Sequence, residues 1–377
     1  MSANERSPIF AAKATRRQVL ATGALLAGGL SLASMLDACG GSPQQPAQSA
    51  ATPARGRGEV LVRTPGGSYE DAWRKASWEP FTAATGIEVK PVATDSAKIQ
   101  AMVQAGNVQL DVVDLGEFQT VSLSKKGYLL KLDPSVFKLT NARDLPLLKP
   151  YYVGNIAFST VLGYSTQAFK NGHPTSWPDF WDAVKFPGPR TLEGYDAGSV
   201  NLEFALLADG VAMDKLYPLD LDRAFRKLGQ IRKSVTKFWN SGAISAQLFS
   251  DQQVVLGAVW NGRLQTLIDG GAPLAIEWNQ AQRLNQGFSI LKGAPNVENA
   301  QRLIDYSMQP AVLAKFAQMS GYGPLNLKAY DHLEAKIAAN LPTSSEHLKS
   351  SFQMDAEWWV SNSKAVSDRW QEFLLGG

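Results

Sequence analysis

Short apolar segments alternate with helical segments after residue 58, and this alternation constrains the fold more than any other feature of the chain. The first apolar segments are Val60–Arg63, Gly86–Val92 and Leu110–Leu115, and each is followed by a segment with the pattern of a helix. Strands that alternate with helices favour a mostly parallel sheet with right-handed crossovers. A chain of 377 residues with 45% hydrophobic residues can bury a sizeable core and divide into two lobes. We therefore predict an α/β fold with mostly parallel sheets flanked by helices.

One stretch in the second half of the chain combines two predicted strands with polar residues at their ends. Residues 254–260 have the pattern of a buried strand that ends at Trp260, and a helix follows it as far as Gly270. Leu274–Trp278 predicts a second strand, which also ends in a tryptophan. The ends of strands in one sheet form a rim where binding clefts lie. We expect indole rings and polar groups to meet on that rim.

Three sequence elements carry a resemblance to a known family. They are Val259-Trp-Asn-Gly262, the tryptophan eighteen residues after Trp260, and Gly321-Tyr-Gly-Pro-Leu-Asn326. Together they resemble the extracellular solute-binding proteins of ABC importers, of the spermidine/putrescine-binding type. The resemblance covers Glu59 to Asn326. It implies a two-lobed periplasmic-binding-protein-like fold of type II, with a ligand cleft between the lobes and a membrane permease as partner.

The resemblance and the strand ends together give a set of candidate ligand-binding residues. Phe118 falls where the polyamine-binding relatives place a tyrosine, and it keeps the ring without the hydroxyl. The glycine loop after the first strand is a cleft wall in such proteins, although it also fits a tight turn with Ser68 as helix cap. Trp260 has an alternative as a core residue between sheet and helix. The candidates are Thr64, Gly66, Gly67, Phe118, Trp260, Asn261, Glu277, Trp278 and Tyr322.

The charge of the ligand follows from what the resemblance lacks. Polyamine-binding relatives hold ammonium groups with carboxylates, but the matching positions here are near 197–200 and 286–288, which carry none, although Asp196 is close by. A multiply charged ligand would be buried with unpaired charges, which is costly. We therefore predict a small organic amine or zwitterion, held by Trp260, Glu277 and either Arg63 or Arg263, in place of a typical polyamine.

The N-terminal residues have the pattern of an export signal. A twin arginine, Arg16-Arg17, precedes an uncharged apolar run at 21–35, which is too short to span a bilayer. Cys39 is the single cysteine, so it excludes an internal disulfide, and Leu36-Asp-Ala-Cys39 resembles a lipoprotein cleavage box in which Asp37 departs from the usual small residue. We predict a twin-arginine lipoprotein signal peptide and a protein anchored by lipid on the periplasmic or extracellular face of the cell membrane.

The predicted boundaries divide the chain into five parts. Residues 1–38 are the signal peptide, and residues 39–58, rich in Gly, Ser, Pro and Gln, are a flexible tether. Residues 59–154 and 287–325 form the first lobe, and 155–286 form the second. Residues 326–377 form a C-terminal helical segment that packs on a lobe. We expect the protein to be a monomer that the tether joins to the membrane.

Composition argues against several other functions. The net charge is +3, of which residues 1–38 carry two units, so no nucleic-acid partner is implied. Three histidines without metal-ligand spacing, and no nucleophile or nucleotide motif, predict no enzyme, no cofactor and no metal. The alternatives are a hydrolase or transferase that would draw its acid and base from Glu277, Glu117 or Asp114, and a binding protein that serves a chemosensory receptor.

Overall fold

The computed structural model describes residues 58–197 and 199–376. The predicted signal peptide, Cys39 and nearly all of the predicted tether lie outside the described residues. No helix in the described ranges is long and apolar enough to cross a membrane.

The described residues alternate between strands and helices, as the sequence predicts. The strands are β1 (Gly58–Arg63), β2 (Ile87–Val92), β3 (Val112–Gly116), β4 (Leu148–Lys149), β5 (Tyr152–Ser165), β6 (Arg190–Glu193), β7 (Val235–Trp239), β8 (Leu256–Trp260), β9 (Leu274–Ile290), β10 (Gly323–Pro324) and β11 (Ser351–Gln353).

The helices cover the sheet, and side-chain caps begin several of them, such as that of Asp95, which accepts a hydrogen bond from the backbone of Lys98. A π-helical turn, Arg74–Trp78, joins the first two helices. The α-helices are α1 (Gly67–Trp73), α2 (Glu79–Thr85), α3 (Ser96–Gln104), α4 (Glu117–Lys125), α5 (Trp177–Trp181), α6 (Leu202–Ala208), α7 (Leu221–Ile231), α8 (Gly242–Ser250), α9 (Asn261–Asp269), α10 (Val297–Ser307), α11 (Pro310–Ser320), α12 (Ala335–Ala339), α13 (Ser345–Lys349) and α14 (Ala356–Leu375).

The sheet has the strand order β2-β1-β3-β9-β5-β8-β6-β7. Pairing is parallel among β2, β1 and β3 at one end and among β8, β6 and β7 at the other. It is antiparallel where β9 and β5 lie between these two groups. The prediction of a two-lobed α/β fold is confirmed, but the sheet is mixed where mostly parallel pairing was predicted, and the parallel pairs among β1–β3 and β6–β8 occupy the outer part of each lobe.

Two long strands, β5 and β9, cross from one lobe to the other. They pair at Val153 and Phe288 in the first lobe and at Leu162 and Glu277 in the second. The prediction that a strand ends at Trp278 is wrong, because β9 continues to Ile290. The pairing shifts between Thr160 and Leu162, and Gln280 has a φ of 61°. This irregularity breaks the side-chain alternation and gives the sequence the appearance of a strand end.

Each lobe has its own aromatic core. In the first lobe, Trp73 stacks on Phe316 with 4.2 Å between ring centroids. In the second lobe, Trp177 stacks on Phe204 at 3.6 Å, so this tryptophan is a core residue. Two separate cores on either side of the crossing strands leave the space between the lobes for a cleft.

The C-terminal segment, predicted to be helical over residues 326–377, also contains a strand. After α13, the short strand β11 pairs in parallel with β9, with Ser351 opposite Ala281. The long helix α14 then packs on the core of the second lobe through Trp359 and Trp370. At the start of α14, Glu357 Oε2 lies 2.6 Å from Nζ of Lys125, at the end of α4 in the first lobe. The segment therefore contacts both lobes.

Candidate ligand site between the lobes

Four strands end at the cleft, and the last residue of each contributes to one cavity. These residues are Arg63 of β1, Gly116 of β3, Glu193 of β6 and Trp260 of β8. Phe118, in the first turn of α4, adds an aromatic wall from the first lobe. The cavity has a volume of about 130 Å³, which is room for several water molecules or one small organic molecule. A molecule in this space would contact both lobes at the carboxyl ends of their strands.

Trp260 is held in place by packing. Its ring lies edge-on to Trp239 and Phe158, with centroid distances of 5.3 and 5.4 Å. Gly242 at the start of α8 makes room for the indole, because a Cβ at that position would lie 2.5 Å from Cε3 of Trp260. The indole Nε1 is buried and has no hydrogen-bond partner among the described residues. Trp260 thus brings a fixed ring to the cavity wall.

Tyr322 lies one layer deeper than Trp260. It is buried, its pKa is raised by that burial, and it borders a small void of about 20 Å³ together with Trp260. Its ring lies 5.8 Å from that of Tyr69. Gly262 lets the ring approach, since a Cβ there would lie 2.4 Å from Cε1 of Tyr322. Tyr322 supports the floor beneath Trp260.

Both polar side-chain atoms of Asn261 form hydrogen bonds within the protein. Its Oδ1 accepts a hydrogen bond from the backbone N–H of Ser159 at 2.9 Å, and its Nδ2 donates to the carbonyl oxygen of Gly321 at 2.8 Å. The residue therefore joins a crossing strand to the loop that carries Tyr322. This arrangement gives Asn261 a role in the shape of the site.

The loop after β1 faces the second lobe. Gly66 and Gly67 have φ angles of 75° and 62°, which residues with a Cβ atom rarely adopt. Gly66 is the residue that precedes α1, so the alternative prediction of Ser68 as helix cap is wrong, and Ser68 accepts a hydrogen bond from Nη1 of Arg263 at 3.3 Å. Thr64 is buried next to this loop, and its Oγ1 has no partner among the described residues.

The structure does not bring Glu277 and Trp278 to the cavity wall with Trp260. Oε2 of Glu277 lies 3.4 Å from Nε2 of His173, and the ring of Trp278 stacks on that of His347 with 3.9 Å between centroids. Both residues precede the irregularity in β9. Trp260 lies beside Thr160 of β5, whose neighbour on the other side is Gln282, four residues beyond Trp278.

Glu193 is a cavity residue that the sequence reasoning missed. It is 1% exposed, its Oε2 accepts a long hydrogen bond, 3.5 Å, from Nδ2 of Asn201, and the side chain and backbone of Ser199 also interact with its carboxylate. Burial, together with the nearby carboxylate of Glu203, raises the pKa of Glu193 to about 8. No Lys, Arg or His among the described residues forms an ion pair with it. Glu193 ends the four-residue strand Arg190–Glu193, in which Leu192 is the single apolar residue, so the sequence pattern gave no clear signal for it.

A network of hydrogen bonds fixes the opposite wall of the cavity. Nη1 of Arg63 donates to the backbone oxygen of Asp114 at 2.7 Å. The carboxylate of Asp114 accepts hydrogen bonds from Tyr69, Asn155 and Gln286 at 2.7, 3.1 and 3.0 Å. Burial raises the pKa of Asp114 to about 6. Arg63 therefore presents its positive charge from a rigid position in the first lobe.

Glu117 is a second carboxylate on the cavity wall, but the protein itself occupies its oxygens. Tyr152 donates its hydroxyl proton to Oε1, and Nδ2 of Asn285 donates to Oε2 at 2.9 Å. Each oxygen of Glu117 thus has a donor within the protein, whereas the hydrogen bond from Asn201 to Glu193 is long and no cation pairs with Glu193 among the described residues. Within the described ranges no group of three or more His, Cys, Asp or Glu is arranged to hold a metal ion.

The inner cavity opens toward solvent through a larger space of about 720 Å³. Its wall includes polar side chains from both lobes, among them Gln119, Asn240, Ser241 and Arg263. The site thus has an inner chamber with one buried carboxylate and an outer mouth that is polar and wide.

Comparison with known proteins places most of the described chain in one family. Residues 76–343 match the family model described as "Bacterial extracellular solute-binding protein". The chain is similar to a gamma-aminobutyric acid-binding protein from Pseudomonas aeruginosa, with 31% identity over 81% of this chain and 87% of that protein. It is also similar to a spermidine/putrescine-binding periplasmic protein from Salmonella typhimurium, with 26% identity over 79% of this chain and 87% of that protein.

Solved structures agree with this assignment. An ABC transporter substrate-binding protein from Bradyrhizobium japonicum is 36% identical, with a TM-score of 0.79 over 84% of this chain and 99% of that one. The structure of the Atu4243–GABA receptor is 35% identical, with a TM-score of 0.76 over 84% of this chain and 97% of that one. The family resemblance predicted from the sequence is therefore confirmed.

Proposed function

Because the chain belongs to the bacterial extracellular solute-binding proteins, we propose that this substrate-binding protein of an ABC transporter serves an importer and captures a small zwitterion. The proposed ligand carries one ammonium group and one carboxylate, and γ-aminobutyrate is the nearest example, since two similar proteins are named for it. The observation that carries the proposal is Glu193, a buried carboxylate on the cavity wall that forms no ion pair among the described residues.

The charges of the cavity favour one ammonium group over several. Burying an ammonium without a partner costs several kcal/mol, so each cation needs its own carboxylate. Glu193 offers one, whereas Tyr152 and Asn285 already occupy the oxygens of Glu117. A di- or tri-cation would leave at least one charge unpaired in the inner chamber. A single ammonium bound at Glu193 satisfies this balance.

The ligand's own carboxylate would bind at the opposite side of the chamber. Arg63 supplies a fixed positive charge there. Arg63 and Phe118 belong to the first lobe, and Glu193 and Trp260 to the second. A zwitterion of this length would thus contact both lobes and favour the closed arrangement. The wide outer mouth would let the ligand enter and leave.

Titration calorimetry tests the ligand class. We expect γ-aminobutyrate to bind, and putrescine and butanoate to bind at least tenfold more weakly, because the first adds an unpaired charge and the second lacks the ammonium. Glu193→Gln should weaken γ-aminobutyrate binding by tenfold or more, since a charge-assisted contact is worth about 1.5–3 kcal/mol. Putrescine binding more tightly than γ-aminobutyrate would contradict the proposed ligand class.

We further propose that the protein delivers its ligand chemically unchanged, acts as a monomer, and is held at the membrane by a lipid on Cys39 after export through the twin-arginine signal. These segments lie outside the described residues, and the proposal rests on the sequence pattern. Cys39→Ala should move the protein from the membrane fraction to the soluble fraction without changing ligand affinity. An unchanged membrane fraction would exclude Cys39 as the anchor.

A further inference from the structure

A second buried carboxylate, that of Glu203, interacts electrostatically with Glu193. Glu203, in the first turn of α6, is 0% exposed, and its Oε1 accepts hydrogen bonds from the hydroxyl of Tyr217 at 2.5 Å and from Nε1 of Trp359 at 2.8 Å. Its Oε2 meets no donor in hydrogen-bond geometry among the described residues, although the amide of Gln282 faces it. Burial raises the pKa of Glu203 as well as that of Glu193.

No cationic side chain among the described residues forms an ion pair with either acid. Asn201 and Ser199 face Glu193 from its own side of the cavity, and Gln282 faces Glu203 from the crossing strand β9. Tyr217 is the titratable group in contact with Glu203, and burial together with that carboxylate raises the pKa of its hydroxyl, so it stays a neutral donor. The charged side chains that share the cavity wall with Glu193 are Arg63 and Glu117.

Two buried carboxylates in proximity cannot both carry a charge without a cation, because burial and mutual repulsion disfavour the doubly ionised state. We propose that the pair Glu193 and Glu203 holds at least one proton in the ligand-free protein, and that the ammonium group of the ligand displaces a proton from Glu193. One ammonium group enters the chamber, and one proton leaves Glu193 for bulk solvent, so the net charge of the acid pair and the bound ammonium together equals the net charge of the pair and its proton before binding. This inference rests on the proposed function, because it requires a ligand with an ammonium group.

The exchange makes Glu203 a specificity-determining residue that does not touch the ligand. A neutral ligand cannot replace the proton electrostatically, so the pair selects for a cationic group. The proton and the ammonium compete for the same carboxylate. As the pH increases toward 8, the affinity for the ligand should therefore rise by up to about tenfold per pH unit, and above pH 8 it should stay constant. The sign follows from the direction of the shift: ligand binding lowers a proton affinity that burial has raised.

Calorimetry in buffers of different ionisation enthalpy measures the protons released on binding. With γ-aminobutyrate at pH 7, we expect the wild-type protein to release roughly one proton per ligand, since a carboxyl that titrates near pH 8 is mostly protonated there. Glu193→Gln should release none. Glu277→Gln is the matched control, because Glu277 contacts His173 outside the cavity wall, and proton release should remain as in the wild type.

Glu203→Gln tests the second member of the pair. The amide oxygen can still accept from Tyr217 and Trp359, so folding should survive, and circular dichroism checks this. Without the second acid, Glu193 should ionise more readily, so the plateau in affinity should move to lower pH and fewer protons should leave at pH 7. Binding of γ-aminobutyrate without proton release in the wild type would overturn this inference alone. Absence of γ-aminobutyrate binding would overturn the proposed function and, with it, this inference.

Discussion

At the scale of single residues, Trp260 combines a packing role with a place on the cavity wall. Trp260→Ala removes a ring that contacts Trp239 and Phe158, so we expect a lower melting temperature and a loss of about 3 kcal/mol or more of unfolding free energy. It also removes an aromatic face next to the ligand's cationic group, which should weaken binding of γ-aminobutyrate at least several-fold. Thermal unfolding and calorimetry on the same variant measure the two effects separately.

Trp278→Ala is the comparison for this experiment, because Trp278 occupied the same place in the sequence-based prediction. Its stack on His347 should contribute to stability alone, so ligand affinity should stay within about twofold of the wild type. If Trp260→Ala binds γ-aminobutyrate normally while Trp278→Ala does not, the assignment of the cavity wall is wrong.

Glu193 should reduce the stability of the ligand-free protein at high pH, because a buried carboxylate that can bind a cation is left without a partner when no ligand is bound. Its pKa rises from an ordinary value of 4.5 to about 8 on folding, so the folded state holds the proton more tightly than the unfolded state. Stability from this group is therefore fully present below about pH 4.5, falls as the pH rises to about 8, and then stays level. Glu193→Gln should remove this loss and raise the melting temperature more at pH 8.5 than at pH 5. Parallel melting profiles for the two proteins would contradict the burial of this carboxyl.

Sequence reasoning identified residues whose position depends on neighbours in the sequence, and it missed or misplaced residues whose position depends on pairing between strands. Trp260 follows an apolar strand and precedes a helix, so its place at a strand end could be predicted. Glu193 occupies the equivalent position on β6, but a strand of four residues has too short a pattern to distinguish it from a loop. Glu277 resembled a strand-end residue only because of the irregularity in β9, which depends on pairing with β5.

At the scale of elements, the start of α8 controls the position of the Trp260 ring. Gly242→Ala would place a Cβ 2.5 Å from the indole, so either the helix or the ring must move. Because Gly242 does not have a left-handed backbone conformation, the substitution acts through this contact. We expect a several-fold loss of affinity for γ-aminobutyrate, measured by calorimetry, together with a change in tryptophan fluorescence.

Gly229→Ala in α7 is a matched control, since no atom lies within 4 Å of a Cβ at that position. It should leave affinity unchanged and raise the unfolding free energy by about 0.5–1 kcal/mol, because alanine favours helix over glycine. Equal affinities in the wild type and Gly242→Ala would show that the ring tolerates displacement.

The sequence predicts elements well where neighbouring residues determine them. The alternation of apolar segments and helices was enough for the first three strands and the helices between them. β11 was not predicted, because its strand conformation depends on pairing with β9, about seventy residues earlier in the chain. The same long-range pairing interrupts the helical pattern of the C-terminal segment.

At the scale of the whole molecule, a few contacts join the lobes besides the crossing strands. Lys125 of the first lobe pairs with Glu357 of α14, and Ser68 accepts a hydrogen bond from Arg263. The ion pair is largely exposed, so it contributes only about 0.2–1 kcal/mol. The hydrogen bond from Asn261 to Gly321 and the packing of Tyr322 against Gly262 also join the lobes. A ligand that binds both lobes shifts the equilibrium toward closure by its differential affinity for the closed state.

Small-angle scattering measures this closure directly. Saturating γ-aminobutyrate should decrease the radius of gyration of the wild-type protein. Glu357→Gln should still close, but its midpoint should move to a ligand concentration up to about fivefold higher, because the ligand must replace the lost ion pair. Asp368→Asn removes an ion pair of equal length, 2.6 Å, between Lys364 and Asp368 within α14, and should leave the midpoint unchanged. A radius of gyration that does not change at saturating ligand would mean that the ligand contacts one lobe only. A ligand with equal affinity for the open and closed states does not shift the equilibrium between them.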